Sequence, residues 1–341
     1  MGLAHPMRVV HPFARRAGLA AALAAAFALG NYLGLLAPRR EAPSPSPTLV
    51  DDVLRTIRAY SVDSLSETDL TYLAAQAIVE RLRDPYAALL KEERARRREV
   101  ASEARATGEV RILEPGIGYV ALTAFTATSA ADLRRAITEL HPQRLRALIL
   151  DLRDNPGGLV REAVQVADLF LDPDLPIATV RGRSAATARR FVARHQQEWP
   201  DLPLVVLVNA ETRSAAELVA GALQEHDRAA IVGEPTYGKG SVQQTIRLRD
   251  SIALRLTTAR WYTPSGRGVE RTSAPDSARP YSLGGRPLPP GGNGGVVPDL
   301  VAPRDRQLQA AVDLLRHART TRELLELASA AGARAASIEG R

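Results

Sequence analysis

The clearest sign of architecture lies in residues 203–223, PLVVLVNAETRSAAELVAGAL, where an uncharged apolar run is followed by a helical pattern. The run has the length and composition of a buried strand, and a helix is expected to begin near Ser214. Residues 146–158, RALILDLRDNPGG, have the same form, with a strand followed by a loop that contains paired glycines. Strand, helix and strand in succession predict crossover connections and a largely parallel sheet covered by helices.

The alternation of strands and helices extends over residues 116–305, which we interpret as one α/β core. Strands are predicted at 118–122, 146–152, 176–180, 203–209, 229–233, 241–248 and 252–262, and helices at 129–140, 159–171 and 214–226. Residues 265–298 are rich in Gly, Pro, Ser and Arg and are expected to form irregular loops.

Helical regions are expected on both sides of the core. Residues 49–115 form the predicted helical N-terminal region, because apolar residues up to Leu90 recur every three or four positions. Residues 306–341 form the predicted C-terminal helical tail, with helical periodicity over most of its length.

The N-terminal segment has the composition of a membrane anchor. Residues 17–37 consist almost entirely of Ala, Leu, Gly and aromatic residues, and about 20 apolar residues suffice to cross a bilayer core. Arginines in residues 1–16 predict that this part stays cytoplasmic, and alternating Pro and Ser in residues 38–48 indicate an extended linker. We expect a single-pass signal-anchor in a bacterial-type cell membrane, with the core on the exported (periplasmic or extracellular) side. A cleaved signal peptide and a buried Ala-rich helix are the alternatives.

Composition argues against several classes of function. The chain carries 45 Lys and Arg against 38 Asp and Glu, but the two signs are interleaved and aromatic residues make up only 4%. Nucleic-acid binding needs clustered basic residues with aromatics between them, so no nucleic-acid partner is expected. Cysteine is absent, and no His, Asp or Glu pair falls at a metal-ligand spacing such as HExxH. We therefore expect neither a metal nor a cofactor.

Three segments carry candidate chemistry: the glycine loop at 155–158, Ser214, and Lys239 within TYGKGSVQ (236–243). Taken alone, an NPGG sequence is usually a turn and a serine before a helix is usually an N-cap. Lys239, however, stands between two glycines before a predicted strand, and burial there would favour the neutral amine that a lysine general base requires. Gln243 is expected on the same side and able to orient that amine. The six histidines have surface or capping contexts, so none competes for the role of base.

With these motifs the chain resembles the C-terminal processing, or tail-specific, serine peptidases. The matching stretches are GIGYVAL (116–122), LILDLRDNPGGLVREAVQVADLFL (148–171), PLVVLVNAETRSAAELVAGALQEHDRAAIVGEPTYGKGSVQQTIRL (203–248), LRLTTARWYTPSGRGVE (254–270) and GVVPDLVAP (295–303). The resemblance implies a peptidase core with the fold of the crotonase and Clp-protease superfamily. The catalytic residues that it implies are Ser214, Lys239 and Gln243. The oxyanion hole that it implies is built from backbone N–H groups of Gly157 or Gly158 and of Ala215.

The chain departs from the family pattern in two places. Family members usually carry a PDZ domain between the N-terminal helices and the core, but only about 25 residues separate Leu90 from Gly116, and a small domain takes more than about 50. Preference for protein tails is therefore not implied, because that domain captures a terminal carboxylate. The family also favours small residues before its nucleophile, whereas this chain has Glu, Thr and Arg at 211–213. Two interpretations of Arg213 are left open: it lines the substrate groove, or it is a solvated residue that pairs with Glu217.

The function predicted is that of a serine endopeptidase that cleaves extended or unfolded protein segments with a serine–lysine dyad. Two alternatives belong to other classes: a catalytically inactive, membrane-tethered module for peptide binding or scaffolding, and an acyl-CoA enzyme of the crotonase superfamily. The partners expected are protein or peptide substrates and the membrane, contacted through the N-terminal helix. A homo-oligomer or a regulatory partner is left open.

Overall fold

The computed structural model describes residues 48–62, 66–91, 106–184, 188–249, 251–271, 282–289 and 294–339. By its internal contacts the chain divides into two compact units, residues 1–74 and 75–341. The described part of the first unit holds helix α1 (Thr48–Tyr60) and the beginning of helix α2 (Glu67–Glu80). The predicted cytoplasmic segment, the predicted signal-anchor and all but the last residue of the predicted linker lie outside the described residues. No helix in the described ranges has the length and apolar character needed to cross a membrane.

The second unit combines strands and helices. In its described residues the strands are β1 (Ala88–Lys91), β2 (Thr107–Glu114), β3 (Ile117–Leu122), β4 (Ala147–Asp151), β5 (Pro176–Gly182), β6 (Arg189–Val192), β7 (Leu204–Val208), β8 (Ala230–Gly233), β9 (Ser241–Arg247), β10 (Ile252–Tyr262) and β11 (Leu300–Val301). The remaining helices are α3 (Ser129–Leu140), α4 (Val160–Asp168), α5 (Ala215–Glu225), α6 (Gln307–His317) and α7 (Thr321–Glu339). The α/β class predicted from the sequence is confirmed.

The larger sheet has six strands in the order β11, β8, β7, β4, β3, β2. All neighbours in it are parallel except β2, which runs antiparallel to β3. Helices α3, α4 and α5 lie on the crossovers between the parallel strands and cover one face of the sheet, and α6 and α7, which follow β11, cover the other. Strands β4, β7 and β8 are buried along their whole length, which explains why their sequences are continuous apolar runs.

Each face of this sheet packs against its own helices, because successive side chains of a strand point to opposite faces. In β4, Leu148 and Leu150 face the layer formed by α3, α4 and α5. Ala147 and Ile149 face the layer formed by α6 and α7. The larger sheet is therefore the central layer of a three-layer arrangement.

The smaller sheet is entirely antiparallel, and β10 is at its centre. Arg260 of β10 pairs with Ser241 of β9 and with Arg181 of β5, so these two strands lie on opposite sides of β10. Strand β1 lies on the same side as β5, and β6 extends the sheet beyond β5.

Two sequence-based expectations need correction, whereas the helices predicted within 306–341 are observed. Residues 88–91 and 107–114, predicted as parts of a helical region, are strands that complete sheet edges on β10 and β3. Strands β5, β9 and β10, expected in one largely parallel sheet, form the antiparallel sheet instead. For β9 and β10 the reason is the short connection after Arg247, which favours a hairpin. The predicted tail 306–341 holds two helices whose apolar faces cover the larger sheet, since Leu315 and Leu324 are fully buried there. The domain boundaries stay a prediction.

Candidate active site

The candidate site lies where β4 and β7 end. These strands are parallel neighbours, so the loops that follow them lie at the same edge of the sheet, where α/β proteins bind their ligands. Asn209 joins the two loops, because its Oδ1 accepts the Asp154 N–H at 3.0 Å and its Nδ2 donates to Asp154 Oδ1 at 2.9 Å. The Thr212 hydroxyl donates to the Leu152 carbonyl oxygen at 2.9 Å. These hydrogen bonds hold the loop after β4 and the loop after β7 together.

Ser214 occupies a sharp turn between β7 and α5. Its φ of 58° and ψ of −116° place a residue that has a Cβ in a sparsely populated, strained conformation. The residue is only half-buried, and it immediately precedes α5, where the helix dipole is positive. A strained serine at a strand-to-helix turn is the arrangement that exposes the nucleophile of many hydrolases. The local backbone therefore favours a functional role for this serine.

Gly157 packs directly against the Ser214 turn. A Cβ added to Gly157 would lie 2.8 Å from both the Arg213 carbonyl oxygen and Ser214 Cβ, and 2.9 Å from the Ala215 nitrogen. Its φ of 90° is also in the left-handed region, so two independent constraints require glycine at this position. Three of the predicted site residues, Gly157, Ser214 and Ala215, are thereby brought together.

Gly157 and Gly158 differ in the use of their backbone amides. The Gly157 N–H donates to Asn155 Oδ1 at 2.8 Å and is therefore occupied. Phe125 bonds to the residues on either side of Gly158, so the Gly158 N–H points away from Phe125. Among the described residues, neither the Gly158 N–H nor the Ala215 N–H donates to an acceptor. Of the two glycines that the sequence left open, Gly158 is thus the one with an available donor.

The segment that contains Lys239 is held beside Ser214 by one carboxylate. Glu217 is fully buried on α5, and its Oε2 accepts both the Ser214 N–H at 2.7 Å and the Lys239 N–H at 2.8 Å. Two nitrogens that lie 2.7 and 2.8 Å from one oxygen are at most about 5.5 Å apart. The other oxygen, Oε1, accepts the Thr236 hydroxyl and the Gly238 N–H, both at 2.6 Å. The backbones of Ser214 and Lys239 are therefore neighbours.

Burial raises the pKa of Glu217 above its ordinary value, and the four hydrogen-bond donors oppose that rise. The carboxylate therefore forms a fully satisfied link between the serine turn and the lysine segment. Pairing of Glu217 with Arg213, one of the two options left open by the sequence, is wrong. The Arg213 guanidinium pairs with Glu211 instead and lies 4.8 Å from the centroid of the Tyr237 ring.

The half-buried Lys239 side chain lies near an aromatic ring and a carboxyl group. Its Nζ is 4.9 Å from the centroid of the Tyr86 ring. Burial, together with the nearby negative charge of Glu270, raises the pKa of Tyr86 to about 12, so this phenol is neutral at physiological pH. Burial also raises the pKa of Glu270, against the positive charges of Arg260 and Lys239, which lower it.

Gln243 lies on β9, opposite Thr257 of β10. Its Nε2 is buried and has no hydrogen-bond partner within the part of the chain that the structure describes. A buried amide donor without a partner is uncommon in folded proteins, which favours an interaction with a ligand. The catalytic role given to Gln243, like the roles of the other predicted site residues, stays a prediction.

Strand, strained serine turn, helix N-terminus and glycine loop together make up the kind of site that serine hydrolases use. Residues 116–278 match the family model "Peptidase family S41". Over these residues the chain is similar to the C-terminal processing peptidases of that family.

Two curated relatives illustrate the extent of this similarity. The chain is 44% identical over 162 residues to a carboxy-terminal-processing protease of Bartonella bacilliformis, a match that covers 46% of this chain and 37% of that protein. It is 42% identical over 160 residues to carboxyl-terminal-processing peptidase 3, chloroplastic, of Arabidopsis thaliana, covering 47% of this chain and 31% of the relative. The chain thus spans about a third of the length of these relatives.

The fold also resembles that of solved structures. A lipoprotein from Streptococcus agalactiae superposes with a TM-score of 0.52 at 18% identity, over 81% of this chain and 98% of that one. At this level of identity the similarity concerns the fold alone.

Sequence reasoning missed two residues near the candidate site. Glu217 had a usable signal, because Ser-Ala-Ala-Glu at 214–217 has the spacing of a capping box, in which the glutamate side chain accepts the N–H of the N-cap residue. Tyr86 had none, since it precedes the core by 30 residues and approaches Lys239 only because β1 joins the smaller sheet.

Proposed function

We propose that the chain is a serine endopeptidase that cleaves extended or unfolded protein segments, with Ser214 as nucleophile and Lys239 as general base. The observation that carries this proposal is the shared acceptor, Glu217 Oε2, which holds the backbones of both residues within about 5.5 Å of each other. The strained conformation of Ser214 and the similarity to processing proteases add independent support.

The use of lysine at position 239 supports its role as a base. The chain has 45 Lys and Arg, of which only two, Lys91 and Lys239, are lysines. An arginine side chain cannot lose its proton in a protein, whereas a lysine amine can when its surroundings disfavour the charge. Of the two lysines, Lys91 is exposed at the end of β1, and Lys239 is the half-buried one whose backbone adjoins Ser214. A side chain that can lose its proton is thus present at the position where the proposed reaction needs a base.

In the first half of the proposed reaction, the neutral Lys239 amine removes the proton of the Ser214 hydroxyl while Oγ attacks the substrate carbonyl carbon. The carbonyl oxygen becomes an oxyanion, which the free N–H groups of Gly158 and Ala215 stabilise. The Lys239 ammonium then gives its proton to the leaving nitrogen as the C–N bond breaks. The products of this half are an amine fragment and an ester between the acyl fragment and Ser214.

In the second half, a water molecule attacks the ester carbonyl carbon and Lys239 takes a proton from that water. The C–O bond to Ser214 breaks, and the proton returns from Lys239 to Oγ. The acid fragment leaves and the enzyme is restored. Gln243 has the role of orienting the amine or the substrate through its side-chain amide.

The proposal places this core outside the cytoplasm, tethered by residues 17–37 to a bacterial-type cell membrane. The uncharged length of that segment and the arginines before it support the tether and its orientation. A homo-oligomer or a regulatory partner is compatible with this arrangement.

The test compares Ser214→Ala, Lys239→Arg and Lys91→Arg in the full chain, solubilised in detergent, with fluorescein-labelled casein as substrate. We expect Ser214→Ala and Lys239→Arg each to lower kcat/KM by about 1,000-fold or more, as loss of a nucleophile or base does in serine hydrolases. Lys91→Arg is the matched control, because Lys91 is exposed at the end of β1 and the substitution is chemically the same.

A second measurement separates the roles of the two residues. A fluorophosphonate probe should label wild type at Ser214, found by mass spectrometry of the modified peptide, and should label Lys239→Arg far more slowly. Equal casein cleavage by Lys239→Arg and Lys91→Arg, or probe labelling at a residue other than Ser214, would show that the assignment is wrong.

A further inference from the structure

A cavity of about 430 Å³ opens beside the smaller sheet, lined by side chains that the proposed chemistry leaves unused. Four arginines line it, Arg83, Arg181, Arg183 and Arg260, and we call it the arginine cavity. Its volume lies within the range of about 300–1,000 Å³ that is usual for ligand pockets. It therefore has room for one or two residues of a peptide.

Three of the lining side chains form a row across three strands. Arg260 of β10 stands directly opposite Arg181 of β5 on one side and Ser241 of β9 on the other. Residues that stand opposite each other share a face of the sheet, with Cβ atoms about 4.5–5.5 Å apart. Like charges in this position destabilise a sheet. The Arg181 guanidinium lies 4.6 Å from the centroid of the Tyr262 ring, which stabilises its charge in part, and an anion between Arg181 and Arg260 would stabilise both.

The carboxyl groups of the arginine cavity do not neutralise its arginines. Among the described residues, none of the four arginines has a carboxylate oxygen within ion-pair distance. Asp84 is engaged elsewhere, because it accepts the Thr257 N–H at 2.9 Å and the Thr257 hydroxyl at 3.0 Å. Glu270 attracts Arg260 electrostatically without an ion pair, and its buried Oε2 has no hydrogen-bond partner among the described residues. Four positive groups therefore face two negative ones, an excess that favours an anionic ligand.

The inner wall of the arginine cavity presents a hydroxyl group that has no partner. Ser241 is 5% exposed, and its Oγ makes no hydrogen bond to any described residue. Polar atoms buried to this degree are almost always hydrogen-bonded in folded proteins, so a ligand atom is expected opposite this hydroxyl. A carboxylate oxygen fits, since it can accept the Ser241 O–H and the N–H groups of a guanidinium together.

The arginine cavity adjoins the proposed base. Tyr86 lines the cavity, and the centroid of its ring is 4.9 Å from Lys239 Nζ. Ser241 follows Lys239 by two residues on the same segment. A peptide whose scissile carbonyl lies at Ser214 can therefore place a nearby residue in the cavity.

We propose that the arginine cavity is a substrate subsite that binds a carboxylate of the protein substrate, through Arg181, Arg260 and the Ser241 hydroxyl. The carboxylate comes from an acidic side chain or from the C-terminus of the substrate, since both present the same group. This inference rests on the proposed peptidase function, because it takes the occupant to be a protein segment bound for cleavage.

The test measures binding without turnover, by fluorescence anisotropy with the full-length Ser214→Ala protein in detergent. The probes are labelled peptides of Ala, Ser and Leu with a single Glu, or Gln as its neutral counterpart, at successive positions. Each peptide is made with a free C-terminal carboxylate and with a C-terminal amide. We expect one of the two carboxylates, the Glu side chain or the free C-terminus, to tighten peptide binding on the order of 10-fold over its neutral counterpart, as charge-assisted bidentate pairing does. Dependence on Glu identifies a side chain, and dependence on the free terminus identifies the C-terminus.

The preference should disappear in Arg260→Gln and in Arg181→Gln, each made in the Ser214→Ala background, and in Arg260→Glu the neutral peptide should bind more tightly than its carboxylate counterpart. Arg322→Glu is the matched control, because Arg322 is exposed on α7 and does not line the arginine cavity. It should keep the preference. Circular dichroism shows whether each variant has folded. If Arg260→Glu has not folded, Arg260→Gln and Arg181→Gln decide the outcome.

The proposal is overturned if peptides with and without a carboxylate bind equally, or if Arg322→Glu removes the preference as fully as Arg260→Gln. Casein cleavage by wild type separates this failure from failure of the peptidase assignment. Cleavage without a carboxylate preference refutes the subsite alone. Carboxylate-dependent binding without cleavage supports carboxylate binding in the arginine cavity, but it refutes the peptidase function and with it the role of the cavity as a substrate subsite.

Discussion

Replacing Glu217 by Gln tests whether one buried carboxylate aligns the two halves of the proposed dyad. The substitution keeps the shape of the side chain but turns one acceptor oxygen into an NH₂ donor. In the wild type both oxygens accept two donors each. In the variant, the best arrangement directs the remaining oxygen at the N–H groups of Ser214 and Lys239, and the NH₂ group at Thr236 and Gly238.

The energetic cost follows from that arrangement. The Thr236 oxygen, which already accepts the Val296 N–H at 2.7 Å, can also accept from the new NH₂ group. The Thr236 O–H and the buried Gly238 N–H then both lose the acceptor that Glu217 provided. An unsatisfied buried donor costs about 1–3 kcal/mol. Loss of the buried charge, whose desolvation raises the pKa of Glu217, offsets part of this cost. We expect the free energy of unfolding to fall by about 1–3 kcal/mol.

The kinetic consequence is larger than the loss of stability. A shift of the lysine segment by a fraction of an ångström moves the amine relative to the Ser214 hydroxyl, and a misplacement of about 1 Å can cost about 100-fold in rate. We expect kcat on casein to fall by about 10- to 100-fold with little change in KM, because substrate contacts remain. Urea unfolding followed by tryptophan fluorescence, and initial rates of casein cleavage, measure the two effects.

Glu326→Gln is the matched control, because Glu326 is exposed on α7 and the chemical change is the same. It should leave both the free energy of unfolding and kcat at wild-type values. The reasoning is refuted if Glu217→Gln also matches wild type in both quantities, or if its whole loss appears in KM.

Two further predictions concern the loops around the site and the edge of the smaller sheet. Gly157→Ala should lower both stability and kcat, because its new Cβ would lie 2.8 Å from Ser214 Cβ. Gly285→Ala, with a similar φ of 85° but no heavy atom of a described residue within 4 Å of the new Cβ, should show the backbone cost alone. Equal losses of the two variants in urea unfolding and casein cleavage would contradict this account. Asp84→Asn should lower stability by about 1–3 kcal/mol at neutral pH, since it breaks hydrogen bonds to Thr257. Burial acts to raise the pKa of Asp84, but these hydrogen bonds lower it below 3.8, so the difference from wild type should stay constant above about pH 5 and shrink as the pH falls below about 4. A difference that grows in acid would show that the sign is wrong.

Much of the larger sheet could be predicted from the sequence, because its strands are buried on both faces and therefore read as continuous apolar runs. The predicted ends of the strands at 147–151 and 204–208 lie within one residue of those observed. The smaller sheet could not be placed in the same way. Strands such as 241–247 are exposed over most of their length, and the partners of the strands in this sheet include residues far away in the chain.

The candidate site was predictable in its residue types and less so in its geometry. Glycine and serine positions could be identified, because a tight loop and a strand-to-helix turn leave local patterns in the sequence. The choice between Gly157 and Gly158 depended on the Asn155 side chain, which occupies the first amide and leaves the second free. No local pattern reports which of two adjacent amides a side chain will bind.

Around Ser214 and Lys239, the sequence alone determined the residue types, the order of strand, turn and helix, and the strand that follows the lysine. These features depend on hydrophobic periodicity and turn chemistry within about 20 residues of chain. Only the tertiary structure decided that Glu217 links the two residues, that Tyr86 lies over the amine, and that Arg181 faces Arg260. Such contacts join residues that are distant in sequence, and sheet pairing and helix packing alone determine which of them meet.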